Sequence, residues 1–558
     1  MKKNRLKQII AGILVWVVIA VPVFSAEILE ESNTTRANLK LVDMKYEHIE
    51  YKEIQSILDK LQGIDKSLKE EVLKCEEEFY ELYCKVSTMI QISKLNYQLN
   101  TDKSKYFEEY LYSLDLLGKM KSAYAEAFTY EEENLSDELN EYYDLSIKRS
   151  KLVDEYTSKQ TTLTIDVNGK KLELADLVKD TSLDSKEFEK LYDQWYTAYN
   201  KAVGEILLKL IKIDNQMAKI KGFETYAESA YKSYLREYSP EETKIFIANV
   251  KNTIPPIFKQ LYMSNITADY LLQQYTYQNN DELLSAIDNG FISKHEKLQK
   301  AYEYMVNYEL YDIDARNNKE SGGFTTYIDQ YLEPFMVLNY QSHYQTALTF
   351  IHEFGHYFSY YQIGANQGGL DLDETYSQAL ELLAMPYYSE IFKNDKYSKA
   401  AKVYTIESLL GAIIQGCLYE EFLNKIYMNP EITVEDMNQI YEELAKGYGL
   451  SVDNRSWCTV THNFEMPYYY ISYSISAVAA FEIWAKSLDQ EERGMETYFK
   501  LVEAGKDYSF IESLKEAGLS SPFELKTLED TVNSVQMYFG LKDKTSQEKK
   551  DKPSFFLP

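Results

Sequence analysis

His352-Glu353-Phe354-Gly355-His356 is the stretch on which the reading of this chain turns. On a helix its two histidines stand four residues apart, about 40° around the axis, so both imidazoles point the same way one turn apart and are able to share one ion. Glu353 sits beside the first histidine, where a carboxylate reaches a water held at that ion without itself taking a coordination position. Leu348, Ile351 and Phe358 supply the apolar neighbours of a buried helix. The alternative is a pair of histidines packed on a helix face, so the pattern needs a third ligand nearby.

Glu374-Thr375-Tyr376-Ser377-Gln378-Ala379-Leu380-Glu381 follows after a short loop and places Glu374, Ser377 and Glu381 on one face of a second helix. Catalytic zinc commonly takes three protein ligands and a water, and two histidines with one glutamate is a recurrent set. Glu374 is the expected third ligand and Glu381, two turns on, an outer partner that accepts a hydrogen bond from a ligand imidazole and fixes its tautomer. The reverse assignment of the two glutamates stays open on spacing alone. Asp371 and Asp373 precede them beside Gly368-Gly369 and read as caps of the second helix.

Outward from this centre the chain is patterned for helices. From about residue 38 to 154 amphipathic Glu/Lys-rich segments contain no proline, with Leu58, Leu61 and Ile64 at buried-face spacing. A hairpin is expected over 161–174, where Leu163, Ile165 and Val167 alternate before Asn168-Gly169, a pair able to adopt positive φ. Ser239 followed by Pro240 predicts a capped helix start. Phe335-Met336-Val337-Leu338-Asn339-Tyr340 is a short apolar run that suits a strand. We expect a signal segment at 1–25, an N-terminal helical lobe over 27–200, a catalytic region over 201–545 and a tail over 546–558.

Residues 1–25 have a basic start (Lys2, Lys3, Arg5, Lys7), an apolar run from Ile9 to Val21 and a Val23-Phe24-Ser25 end, the layout of an export signal. The chain is therefore expected to be secreted or extracytoplasmic, or membrane-anchored through residues 9–24 if the segment is retained. Its removal takes the net charge from −28 to −32. Such a surface repels phosphate backbones and anionic membranes, which disfavours nucleic acid as a partner and leaves the membrane only to an uncleaved N-terminus. Four cysteines without a Cys-x-x-Cys pair give no disulfide scaffold and no zinc finger. Cys75 and Cys84 lie about 13 Å apart along one helix, too far to pair, and all four are expected to be free thiols.

The segment Phe335 to Glu381 resembles the metal-site region of the thimet oligopeptidase and oligoendopeptidase F family of zinc metallopeptidases: an apolar strand ending in Asn339-Tyr340, the His-Glu-Phe-Gly-His helix, then Glu-x-x-Ser-x-x-x-Glu. Gln216 through Tyr226, Ser321-Gly322-Gly323-Phe324 and the His/Tyr-rich stretch His462 to Tyr473 are also similar, and the oligoendopeptidase F branch fits best. The chain departs from the family in a shorter loop before Glu374 and in Ser476 where a glycine is usual.

The resemblance implies a mostly α fold: a large helical ellipsoid of two lobes enclosing a deep substrate channel, with a small β element near the zinc helix. It implies one zinc per chain on His352, His356 and Glu374, which favours Glu374 over Glu381 as third ligand. Glu353 is then the general base, His462, Tyr469 and Tyr473 are donors to the tetrahedral oxygen, and Phe335, Val337 and Asn339 form a strand edge against which substrate backbone pairs. Tyr468 and Tyr470 replace the favoured tyrosines if the register is off by one. The implied activity is zinc-dependent endopeptidase cleavage of short unfolded peptides. A metallocarboxypeptidase of similar helical fold and a non-catalytic helical surface binding protein are the alternatives.

Overall fold

A computed structural model describes residues 36–541 apart from 64–68, 129–134, 181–182, 341, 365, 367 and 430. The expected signal segment and the tail over 546–558 lie outside the described residues. Within them the chain is almost entirely helical, with a two-stranded and a three-stranded sheet. No described helix is long and apolar enough to cross a membrane.

Apolar side chains gather into two cores. The smaller draws Ile54, Leu58 and Leu61 against Phe79, Val86 and Met89 and against Leu116 and Met120, from the helices Tyr51–Gly63, Lys69–Leu99 and Ser104–Phe128. The larger runs from Met44 to Val535 and contains everything around the metal-site motif. Together they make a helical body of two lobes.

The boundary expected between residues 200 and 201 is not there. Asp184 caps a 36-residue helix, Ser185–Ile220, that passes through it. Its buried stripe of Trp195, Tyr199, Val203, Ile206 and Leu210 is continuous and belongs throughout to the larger core. A stripe at three- and four-residue spacing with no breaker cannot end one domain and start another. The two cores divide instead within the first quarter of the chain.

β1 (Thr164–Val167) and β2 (Lys170–Glu173) form the expected hairpin, with Asn168 at φ 56° and Gly169 at φ 82° supplying the two left-handed residues of its turn. Ser239 caps Pro240–Leu272 through a reciprocal pair of bonds with Glu242, and Pro240 takes the first turn, where no amide is missed.

The second sheet is ordered β3-β5-β4, from Tyr311–Asp312, Glu333–Asn339 and Gly322–Ile328. The reading of Phe335, Val337 and Asn339 as a substrate-pairing edge is corrected here, because β5 is the central strand. Phe335 and Val337 are buried in the larger core. Asn339 holds the preceding loop, donating to Arg316 O at 3.0 Å and Lys319 O at 2.8 Å. An unbroken apolar run marks a strand covered on both faces, and here both edges are paired too. The outer strand beside the histidine helix is β4, half-buried along nearly its whole length.

Candidate metal centre

The histidine helix, His343–Ile363, lies against β4 and β5 on one side and against the glutamate helix, Gly369–Ala384, on the other. Gly355, inside the motif, sets how closely these helices approach. A Cβ there would stand 2.5 Å from Ser377 Cα and 2.9 Å from Tyr376 O, so only glycine permits this packing. The contact brings Glu374 under the two imidazoles.

Glu374 Oε2 lies 3.5 Å from His352 Nε2 and 3.8 Å from His356 Nε2, and the three donor atoms all fall within 4.8 Å of one another. Ligands at zinc bond lengths in a tetrahedron stand about 3.3 Å apart. Two imidazoles and one carboxylate at slightly more than that spacing fit zinc in donor type and arrangement. His352 keeps 19% of its side chain exposed against 2% for Glu374, so the cluster opens on the His352 side.

Glu381 Oε1 meets His352 Nδ1 at 2.7 Å, on the far side of the ring from Glu374. It therefore orients the imidazole and presents Nε2 to the cluster, while Glu374 is the glutamate that faces both histidines. Burial works against a charge on His352, but Glu374 and Glu381 outweigh it and hold its pKa well above the ordinary range. At His356 burial outweighs the pull of Glu374 and pushes the imidazole down to about 4.

Glu353 is buried beside the ligands. Thr325 of β4 donates to its Oε2 at 2.8 Å. Burial pushes the carboxyl up to about 7, against the opposing pull of His352 and of the Thr325 bond. Gly323, on the same face of β4, lets the strand approach, since a Cβ there would stand 2.7 Å from Leu338 Cδ2 and 3.0 Å from Thr349 Cγ2.

The His/Tyr-rich segment closes the other side. Tyr469 donates its phenol proton to Glu374 Oε1. Tyr473 OH lies 3.4 Å from His462 Nε2, and the His462 and Tyr469 rings pack at 4.9 Å. Burial lowers His462 to about 4 and raises both phenols well above 10, so at neutral pH the imidazole is neutral and both tyrosines keep their protons. Tyr468 is no substitute for its neighbours: its ring is in the core, against Tyr427 and Tyr226. Tyr470 packs on His462 at the edge of the group.

Asp371 and Asp373 do not cap the glutamate helix. The N-cap is Gly368, with no side-chain bond, and both aspartates lie inside the first turns. Asp371 is buried and accepts from Tyr238 OH at 2.8 Å. Asp373 accepts from Asn366 at 2.5 Å, and burial together with the adjacent Glu374 raises it to about 8. His48, His295 and His343 stand elsewhere, bonded to Glu109, Tyr387 and the Tyr277 amide. None of the four cysteines is paired in a disulfide among the described residues.

Thr325, Gly355 and Asp371 were not anticipated as contributors. Gly355 carries a signal in being the small residue between the histidines. Thr325 carries only its place two residues after Gly323, on the same face of a strand.

The sequence model of Peptidase family M3 matches residues 293–532, which contain every residue of this centre. Oligopeptidase PepF of Bacillus subtilis (strain 168) is 20% identical over 362 residues, covering 60% of this chain and 53% of that protein. Group B oligopeptidase PepB of Streptococcus agalactiae is 22% identical over 374 residues, 61% of this chain and 60% of that protein. The chain thus spans between half and two thirds of the length of these relatives. Among solved structures, a putative oligoendopeptidase F superposes with a TM-score of 0.72 at 20% identity, over 90% of this chain and 99% of that one. PZ peptidase A, solved with an inhibitor, gives 0.72 at 21% identity over 90% and 100%. The fold is that of these structures, and the region that resembles peptidase family M3 carries two histidines and a glutamate converging on one point.

Proposed function

We propose that this protein is a zinc-dependent oligoendopeptidase that hydrolyses internal bonds of short, unfolded peptides. The observation that carries the reading is the convergence of His352, His356 and Glu374 with Glu353 buried beside them. Zinc held by those three residues supplies Lewis acidity and makes water a stronger acid.

Glu353 is the general base. Its pKa near 7 suits a group that takes a proton from the attacking water and returns it to the departing amine at neutral pH. The Thr325 hydroxyl holds one carboxylate oxygen and leaves the other for that exchange. The neutral His462 and the protonated Tyr473 serve as donors to the oxygen that gains charge at the scissile carbonyl. Tyr469 is committed to Glu374, so its role is to hold that carboxylate. The outer strand β4 offers backbone groups to an extended peptide, in the place first assigned to β5.

The basic and apolar layout of residues 1–25 supports export, and the acidic surface suits a soluble enzyme outside the cytoplasm. Cleavage of a quenched fluorescent peptide blocked at both ends, with the cut read by mass spectrometry, tests the activity. Internal cleavage that a chelator abolishes and zinc restores is expected. Cleavage confined to peptides with a free C-terminus would replace this reading with a carboxypeptidase, and absence of any zinc would favour a binding protein.

A further inference from the structure

Arg236 lies between the helices Tyr226–Ser233 and Pro240–Leu272, with its side chain fully buried. Its Nη2 donates to Tyr468 O at 2.7 Å and to Ser472 Oγ at 2.8 Å. Its Nε lies 3.8 Å from Asp371 Oδ1. The guanidinium is boxed by the rings of Tyr231 and Tyr234, 4.5 and 5.1 Å from their centroids. One planar group thus touches two elements of the metal centre. Asp371 is one turn before Glu374 on the glutamate helix, and Tyr468 and Ser472 flank Tyr469 at the head of the helix Tyr470–Asp489.

Tyr468 has φ +69°, a left-handed conformation that residues other than glycine rarely adopt without tertiary contacts to hold it. Its buried ring and the Arg236 bond to its carbonyl hold it there. The twist occurs at the residue before Tyr469, whose phenol reaches the Glu374 carboxylate. A relaxed Tyr468 would turn Tyr469 away from Glu374.

We propose that Arg236 is a positioning residue: it fixes the glutamate helix, through Asp371, against the left-handed turn at Tyr468, and so sets the hydrogen bond by which Tyr469 holds the metal ligand Glu374. This rests on the metal reading given above, and on no assumption about the substrate. The full reach of arginine is required, because a lysine ammonium ends about where the guanidinium carbon lies, one bond short of the Nη2 that donates to both Tyr468 O and Ser472 Oγ.

The test is zinc affinity by chelator competition on the full chain, with thermal melting as the check on folding, for wild type, Y469F, R236M, R236K and R236M/Y469F. Losing an outer partner of a ligand weakens metal binding by about tenfold or more. Y469F and R236M should each show a loss of that size, and the double variant should be within about twofold of either single one. R236K, which keeps the buried charge, should fold and still bind zinc as weakly as Y469F, so it decides the matter if R236M does not fold. Wild-type affinity in a folded R236K or R236M, or a double variant weakened by the product of the two single losses, would overturn the proposal. Zinc is read here without peptide. Coupled zinc losses in a chain that cleaves nothing would sink the peptidase and leave the clamp, and a peptidase without coupling would do the reverse.

Discussion

The helix His343–Ile363 presents His352, Glu353 and His356 from little more than one turn, whereas His462, Tyr469 and Tyr473 come from a segment whose backbone is held from outside. Arg149 donates to Phe464 O and Glu465 O at 2.9 and 3.0 Å, Tyr234 to Pro467 O at 3.0 Å, and Arg236 to Tyr468 O. On the first side the helix ladder fixes the spacing, and one glycine admits the partner helix. On the second side no regular element spans residues 466–469, and distant side chains take up the carbonyl groups of Pro467 and Tyr468. The metal side is therefore sensitive to added volume, and the His/Tyr side to lost hydrogen bonds.

The largest effect should come from adding one methyl on the metal side. Alanine is a better helix former than glycine by about 1 kcal/mol, but at position 355 its Cβ meets the backbone of Ser377 at 2.5 Å. We expect Gly355→Ala to destabilise the fold by about 1–3 kcal/mol, seen as a lower Tm, and to abolish stoichiometric zinc. A variant with a raised Tm and full zinc would show that this helix contact is not what seats Glu374. On the other side, Tyr473→Phe removes one donor and little volume. Its kcat should fall about 100-fold with KM within about twofold, whereas a change confined to KM would make Tyr473 a substrate contact only. The smallest effect is expected between the two sides, at Thr325. Thr325→Val removes the bond that favours ionised Glu353, so kcat/KM should drop about three- to tenfold and its acid limb should move to higher pH. An acid limb that stays in place would detach Thr325 from the base.

The same contrast explains how far the sequence alone reaches. His352, Glu353 and His356 are legible because their spacing acts within one turn, and Glu374 and Glu381 because seven residues on a helix keep one face. The hairpin at Asn168-Gly169 and the start at Ser239-Pro240 are equally local. β5 was legible as a strand but not as the central one, because an apolar run reads the same whether its edges are paired or free. The boundary near residue 200 was misplaced because the two cores are joined by no linker of distinct composition. Arg236 and Asp371 carry no local signal at all: their roles come from a contact across 135 positions of chain, and in sequence Asp371 looks like an ordinary cap. Tyr468 gives no hint of its left-handed backbone, which tertiary contacts impose.

The central claim is that Glu353 works as a base beside a metal it does not bind. Zinc stoichiometry and single-turnover cleavage of the blocked peptide, measured together on wild type and Glu353→Gln, test it most directly. We expect one zinc per chain in both and a fall in rate of about a thousandfold in the variant. Unchanged turnover with zinc in place, or loss of zinc from the variant, would contradict it.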